Sequence, residues 1–284
     1  MFQWVSWSLL IGCGGPAAKS VVDTRVPDDG RIKVLSYNVH GLPSLITGDD
    51  TPGRMTQIAP RLGAWDILGI QEDWGVANHE SLMADVDHDT RLWFDDALFG
   101  RVYGSGLTTL ARFPVISQEG VHFSTCEGIV DGASDCLASK GFQVTRLAVG
   151  DASVDVYNTH LEAGGSAADK ASREAQVQDL MAFMARESSG HAIIFTGDFN
   201  LHAQDADDAT LLARLSDEGG LADSCHLVGC AETQHIDRVW VRSSDLIQLV
   251  PTEWANVSMD FLDDGGVGLS DHPPISVVLN WDTQ

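Results

Sequence analysis

Polar side chains gather where apolar strands should end. Asn38 and His40 follow VLSY, Glu72 and Asp73 follow DILGIQ, and His160 closes VDVYNT. Asp198 and Asn200 close IIFTG, Asp271 and His272 precede the final apolar run, and Asp237 lies inside HIDRVWV. Taken singly, each has an ordinary explanation: a turn asparagine, a helix-entry carboxylate, a satisfied histidine, a tight Gly-Asp-Phe-Asn turn. Taken together they do not, because a buried strand has no use for such groups at its end unless they converge. Carboxylate and amide oxygens with no thiolate among them favour Mg²⁺ or Ca²⁺ over zinc.

Positioning those residues requires strands that end on one side of a domain. Strands are expected over 32–39, 65–71, 106–111, 141–149, 154–160, 191–196, 236–241 and 275–279. Thr51 and Pro52 fit the N-cap and first turn of a helix with Met55, Ile58 and Leu62 on one face, shortened by Pro60. The clearest helix covers 169–188. Val177, Leu180, Met181 and Met184 form its apolar stripe, Ser166 with Asp169 resembles a capping box, and Gly190 sits just past the end. A further helix is expected over 209–215. Many strands, few helices and no clean βαβ repeat imply two packed sheets flanked by helices in one domain.

Composition narrows the partners. The chain has 284 residues, 44% hydrophobic and 20% charged, an ordinary globular balance. With 17 Lys+Arg against 41 Asp+Glu, its formal charge is −24, the opposite of a nucleic-acid footprint. A divalent cation would change the local field, so acidity alone does not exclude a nuclease.

Residues 1–31 read as an export leader and tether, and 32–284 as the folded domain. Trp4 to Ile11 is apolar but too short to span a bilayer. Leu10-Ile11-Gly12-Cys13 resembles a bacterial lipobox, which would make the product a lipidated envelope protein. No Lys or Arg precedes the apolar run, so an ordinary secretory signal and a mis-assigned start stay open. The other cysteines form two close pairs, Cys126 with Cys136 and Cys225 with Cys230, a spacing that suits short-loop disulfides in an oxidising compartment.

The ordered set LSYNVHG, ILGIQED, YNTHLEA, FTGDFN, IDRVW and LSDHPP resembles the endonuclease/exonuclease/phosphatase superfamily over nearly the whole chain after the leader. That resemblance implies a four-layer α/β/β/α sandwich and a Mg²⁺-dependent phosphodiesterase. It makes Glu72 the principal metal ligand, with Asn38 beside it and Asp271 a metal-side carboxylate. It makes Asp198 and Asn200 the pair that orients water and phosphate, and His160 a contact to the scissile phosphate. His272 becomes the general base and Asp237 the carboxylate that orients it. The chemistry is coherent: an anionic diester needs a cation and donors for its growing charge, and imidazole suits deprotonation of water near neutral pH.

Within the superfamily, Asp135 five residues before Lys140-Gly141 resembles the neutral sphingomyelinase branch, in which that Lys meets substrate phosphate and that Asp holds the loop. The stretches Tyr103–Leu107 and Leu110–Pro114 look like that branch too. One departure is the segment Phe261–Gly268, short and acidic where the secreted bacterial members carry a longer aromatic hairpin for membrane insertion. The expected reaction is hydrolysis of sphingomyelin to ceramide and phosphocholine, with a phospholipid substrate and, through a lipidated Cys13, a membrane surface as partners. A DNase I-like endonuclease, and a non-catalytic envelope binding protein of the same fold, are the alternatives.

Overall fold

A computed structural model describes residue 27 and residues 30–128, 135–232 and 234–284. Cys13 of the expected lipobox and nearly all of the expected tether lie outside the described residues. In chain order the elements are β1 (Arg31–Asn38), α1 (Ser44–Thr47), α2 (Thr51–Ile58), β2 (Ile67–Gln71), α3 (Val76–Met83), β3 (Thr90–Phe94), β4 (Leu107–Ala111), β5 (Val115–His122) and β6 (Gly141–Val149). There follow β7 (Ala152–His160), α4 (Ala167–Glu187), β8 (Ala192–Asp198), α5 (Ala206–Asp217), β9 (Ala222–Asp223), α6 (Ser224–Val228), β10 (Asp237–Arg242), β11 (Ile247–Asn256) and β12 (Ile275–Thr283). The strands form two six-stranded sheets, ordered β11-β12-β1-β2-β4-β3 and β5-β6-β7-β8-β10-β9. Among the described strand pairs only β1 with β2 and β7 with β8 run parallel, and an isolated parallel bridge joins Tyr103 to Ala138.

Strand alternation builds the layers. Val34, Ile67, Val156, Ile194, Val239 and Val277 point between the sheets and make the central apolar core. Leu35, Tyr37, Leu68 and Ile70 point outward from the first sheet and pack on Met55 and Ile58 of α2 and Leu82 of α3. Tyr157, Phe195 and Trp240 point outward from the second sheet and meet Val177, Leu180 and Met184 of α4 and Leu211 and Leu215 of α5. The result is the expected α/β/β/α sandwich.

Several local expectations hold in detail. Ser166 caps α4 in a full capping box with Asp169, and Gly190, at φ +75°, lies just past its end. The helix before Pro60 stops at Ile58 and continues as a 3₁₀ turn, but its cap is Asp50, which accepts from Gly53 N, rather than Thr51. Arg31, placed in the tether, already pairs with Asn280 in β1. Strand β11 escapes a pattern reading because Pro251 interrupts it, a residue tolerated there by the edge position and a register shift between Pro251 and Glu253. Strand β5 is an exposed edge with little alternation to reveal it. The cysteines pair as expected, Cys126 with Cys136 and Cys225 with Cys230.

Toward one end of the sandwich the interior turns polar. Gln71 Nε2 donates to Asn158 Oδ1 at 2.7 Å, and Asn158 Nδ2 donates to the carbonyls of Ile70 and Thr108. Gly197 N donates to Ser36 Oγ, and Thr109 Oγ1 donates to Gln143 Oε1. These bonds join the two sheets where buried groups must be satisfied. Gly69 permits their close approach: a Cβ there would stand 1.8 Å from Thr196 Oγ1.

Candidate active site

Beyond that polar seam, strand ends from both sheets bring the expected residues together. Asp198, at the end of β8, is the hub. Its Oδ2 accepts from Asn38 Nδ2 at 3.1 Å and lies 3.5 Å from His160 Nε2 and 3.6 Å from His272 Nδ1. Asn38 Nδ2 also donates to Glu72 Oε1 at 3.0 Å, so one amide ties two carboxylates together. Asp237, the first residue of β10, accepts at Oδ2 from His272 Nδ1 at 2.9 Å. Ser270 completes the turn: its hydroxyl donates to Asn38 O at 2.7 Å, and His272 N donates to Ser270 Oγ.

Three residues at this site hold left-handed backbone conformations unusual for a side chain: His40 (φ +50°), Glu72 (φ +59°) and Asn200 (φ +49°). They are all the positive-φ non-glycine residues among those described. Each sits just past a strand end, where the chain turns sharply so that a polar side chain faces the cleft. Gly41 makes room for the turn at Glu72, since its N donates to Glu72 O and a Cβ on it would stand 2.2 Å from that oxygen. Below, buried Asp73 anchors the turn: its N donates to Gly106 O, and its Oδ2 accepts from Thr108 Oγ1 and meets His79 Nδ1.

The electrostatics are those of crowded, desolvated acids. Burial, then the charge of Asp198, raises the pKa of Glu72 against the hydrogen bond from Asn38 and the positive charge of Lys140. Burial and Asp198 push Asp237 up to about 7. For His272 burial acts downward, yet the hydrogen bond and charge of Asp237, with Asp198 and Asp271 nearby, outweigh it and raise the pKa to about 10. His160 goes the other way, held well below its usual value by burial and by the charges of Lys140 and His272.

The donor set fits a hard divalent cation. Glu72 Oε2 and Asp237 Oδ1 are buried without a hydrogen-bond partner, an arrangement that a bound positive charge would relieve. Two groupings offer ligand atoms. One is the sequence-expected set, in which Glu72 and Asn38 lie together while Asp271 stands at the rim, its side chain 60% exposed and its Oδ1 3.3 Å from His40 Nδ1. The other is Asp198, Asp237 and His272, whose ligand atoms all lie within 4.8 Å of one another. In the second, His272 Nδ1 is already bonded to Asp237, so the buried oxygen of Glu72 is the better anchor.

Lys140 arrives at the site, but beneath it. The residue is 4% exposed, and its Nζ donates at 2.7 Å to Leu161 O, which also accepts from Asn200 Nδ2. Asp135 opens the 3₁₀ turn Asp135–Leu137, and its side chain lies outside what the structure describes. The disulfide loop is tied down by Glu162, two residues after His160, whose carboxylate accepts from Glu127 N and Gln176 Nε2. Ser270 and Glu162 do not stand out as site residues in the sequence, although the motifs LSDH and THLE contain them. Their roles depend on contacts across the fold.

Two packed sheets with acids and imidazoles converging at their strand ends define a class: the DNase I-like architecture of phosphodiester hydrolases. The chain belongs to the Endonuclease/Exonuclease/phosphatase family, whose sequence profile matches residues 35–272. A sphingomyelinase of Mycobacterium tuberculosis is 29% identical over 279 residues, an alignment that takes in 89% of this chain and 53% of that protein. The chain thus spans about half the length of the curated relatives it matches. Among solved structures, sphingomyelinase C of Streptomyces griseocarneus superposes with a TM-score of 0.66 at 20% identity, covering 87% of this chain and 99% of that one. A Staphylococcus aureus beta toxin variant with bound magnesium ions does so at 0.67 and 15% identity, covering 87% and 98%.

Proposed function

We propose that this chain is a divalent-cation-dependent phosphodiesterase that cleaves sphingomyelin to ceramide and phosphocholine. The observation that carries the hydrolytic reading is the cleft itself. It brings Glu72, Asn38, Asp198, Asp237, His160 and His272 into one cluster from two sheets, tied by hydrogen bonds from Asn38 to Glu72 and Asp198 and from His272 to Asp237. Choice of substrate rests on the sphingomyelinase relatives and on the Asp135–Lys140 stretch.

In this reading Glu72, with Asn38 and Asp271 bordering it, holds Mg²⁺, which when bound offsets phosphate charge as a Lewis acid. Asp237 fixes the His272 ring through Nδ1; the carboxylates that raise its pKa are those a divalent cation would offset, and in the neutral ring so favoured Nε2 is free to take the proton of an attacking water. Asp198 and Asn200 orient that water and a phosphate oxygen. His160, flanked by the Lys140 charge, steadies the anion as it develops. In this reading the protein is exported, which the two disulfides, suited to an oxidising compartment, support.

The test gives purified protein Mg²⁺ with sphingomyelin vesicles, phosphatidylcholine vesicles or plasmid DNA in separate reactions, each with an EDTA control. Phosphocholine released from sphingomyelin and abolished by EDTA is the expected result. DNA nicking without lipid cleavage would keep the hydrolytic site and overturn the substrate.

A further inference from the structure

Glu72 keeps a left-handed backbone only if its surroundings hold it there. Its carbonyl accepts from Gly41 N at 3.0 Å and from Trp74 N at 2.9 Å. Most of the remaining hold is on the next residue, Asp73, which is fully buried. Asp73 N donates to Gly106 O at 2.9 Å, and Asp73 O accepts from Trp93 Nε1 at 3.1 Å. Its carboxylate Oδ2 accepts from Thr108 Oγ1 at 2.7 Å. These partners belong to β3, β4 and the loop before β4, so Asp73 ties the Glu72 turn to the first sheet.

The other partner of that carboxylate comes from a helix. His79 Nδ1, in α3, lies 2.5 Å from Asp73 Oδ2. A carboxylate accepts and does not donate, so Nδ1 carries the hydrogen. Two features aim the ring. Gly75, at φ +79°, turns the chain from Trp74 into α3, and His79 N donates to Gly75 O, which brings His79 back to a residue six positions earlier. The imidazole also stacks on Trp93, with ring centroids 4.0 Å apart and planes 5° from parallel. Trp93 therefore holds the His79 ring with its face and the Asp73 backbone with its indole N–H.

We propose that His79 is a positioning residue for the cation site, fixing through Asp73 the turn that presents Glu72. The proposal rests on the reading of Glu72 as the principal metal ligand. A small divalent cation takes its oxygen ligands within a narrow range of distances, so a loosened turn costs affinity directly. The device is a directed N–H at the Nδ1 position, and neither the bulk of the ring nor its stacking replaces it.

The test is calorimetric titration of Mg²⁺, without substrate, into protein stripped with EDTA and dialysed, the metal-free unfolding midpoint showing that each variant is folded. His79→Leu removes the donor, and His79→Gln fills the space but sets its amide nitrogen nearer the Nε2 position. Each should raise the Mg²⁺ dissociation constant by about 10–100-fold, the usual effect of losing a group that orients a metal ligand. His79→Asn, whose amide nitrogen stands where Nδ1 does, should restore most of the affinity. Glu72→Gln, the control for the metal reading, should bind Mg²⁺ least of all. Wild-type affinity in the folded Leu or Gln variant, with binding lost in Glu72→Gln, would overturn the proposal and keep the metal reading. A loss in His79→Asn equal to that in His79→Gln would also overturn it, since the role would then be one of packing. Undiminished binding in Glu72→Gln would overturn the metal reading, and the proposal with it.

Discussion

Asp237 and His272 are separated by 35 residues and meet across a 2.9 Å hydrogen bond, an arrangement with one purpose if His272 moves a proton. His272→Ala should lower turnover by about 10²–10⁴-fold, the usual worth of a positioned base, with the unfolding midpoint little changed. Asp237→Asn should cut turnover in the same direction by releasing the ring. Turnover near the wild-type level in a folded His272→Ala protein would remove His272 from the mechanism. Glu72 invites a different measurement. Its buried, unpartnered oxygen should bind Mg²⁺ in the absence of substrate, so Mg²⁺ at 100 times its dissociation constant should stabilise the fold by about 2.7 kcal/mol. Glu72→Gln should abolish most of that gain in a thermal scan, and an unchanged gain would place the cation elsewhere.

At the scale of elements, the contact between β2 and β8 controls how closely the sheets approach. Gly69 faces Thr196 with no space for a methyl group, and the neighbouring Gln71–Asn158 bond depends on the same spacing. Gly69→Ala should therefore cost at least about 2 kcal/mol, the range for overpacking a tight interior, as read by urea unfolding. It should also reduce activity by more than the loss of folded protein explains, because Glu72 is three residues away on the same chain segment. A fully stable Gly69→Ala protein would show that the sheets part more easily than the contact implies. The IQE and GDFN motifs made both strand ends legible, but nothing local marks Gly69 and Thr196 as partners, because they are 127 positions apart, from 69 to 196.

Over the whole molecule, pH reports on buried histidines far from the cleft. His88 is buried with its Nε2 donating to Trp65 O and its Nδ1 near the Asp87 carboxylate, and burial lowers its pKa below 6.5. The unfolded chain therefore binds more protons there between the folded pKa and about 6.5. The stabilisation is fully present above pH 6.5 and is lost as pH falls through the folded value, at about 1.4 kcal/mol per pH unit while only the unfolded form is protonated. The stability gap between His88→Gln and the wild type, measured by urea unfolding, should accordingly shift in favour of the variant from pH 7 to pH 5. A gap independent of pH would mean that His88 titrates alike in both states. The comparison of the two proteins matters, since burial raises Glu72 and Asp237 and works in the opposite sense.

The sequence by itself determined the strand ends, the residue types gathered there, the α4 cap and the cysteine pairs, because each depends on local periodicity or short spacing. It also determined the family, through motifs kept in order along the chain. Only the tertiary structure decided that Asp198 is the hub of the cleft, that Lys140 lies beneath it against Leu161 O, and that Ser270 belongs to it. The physical reason is the same in each case. A hydrogen bond between strands of two sheets depends on how closely those sheets pack, and that distance is set by side chains remote from both partners.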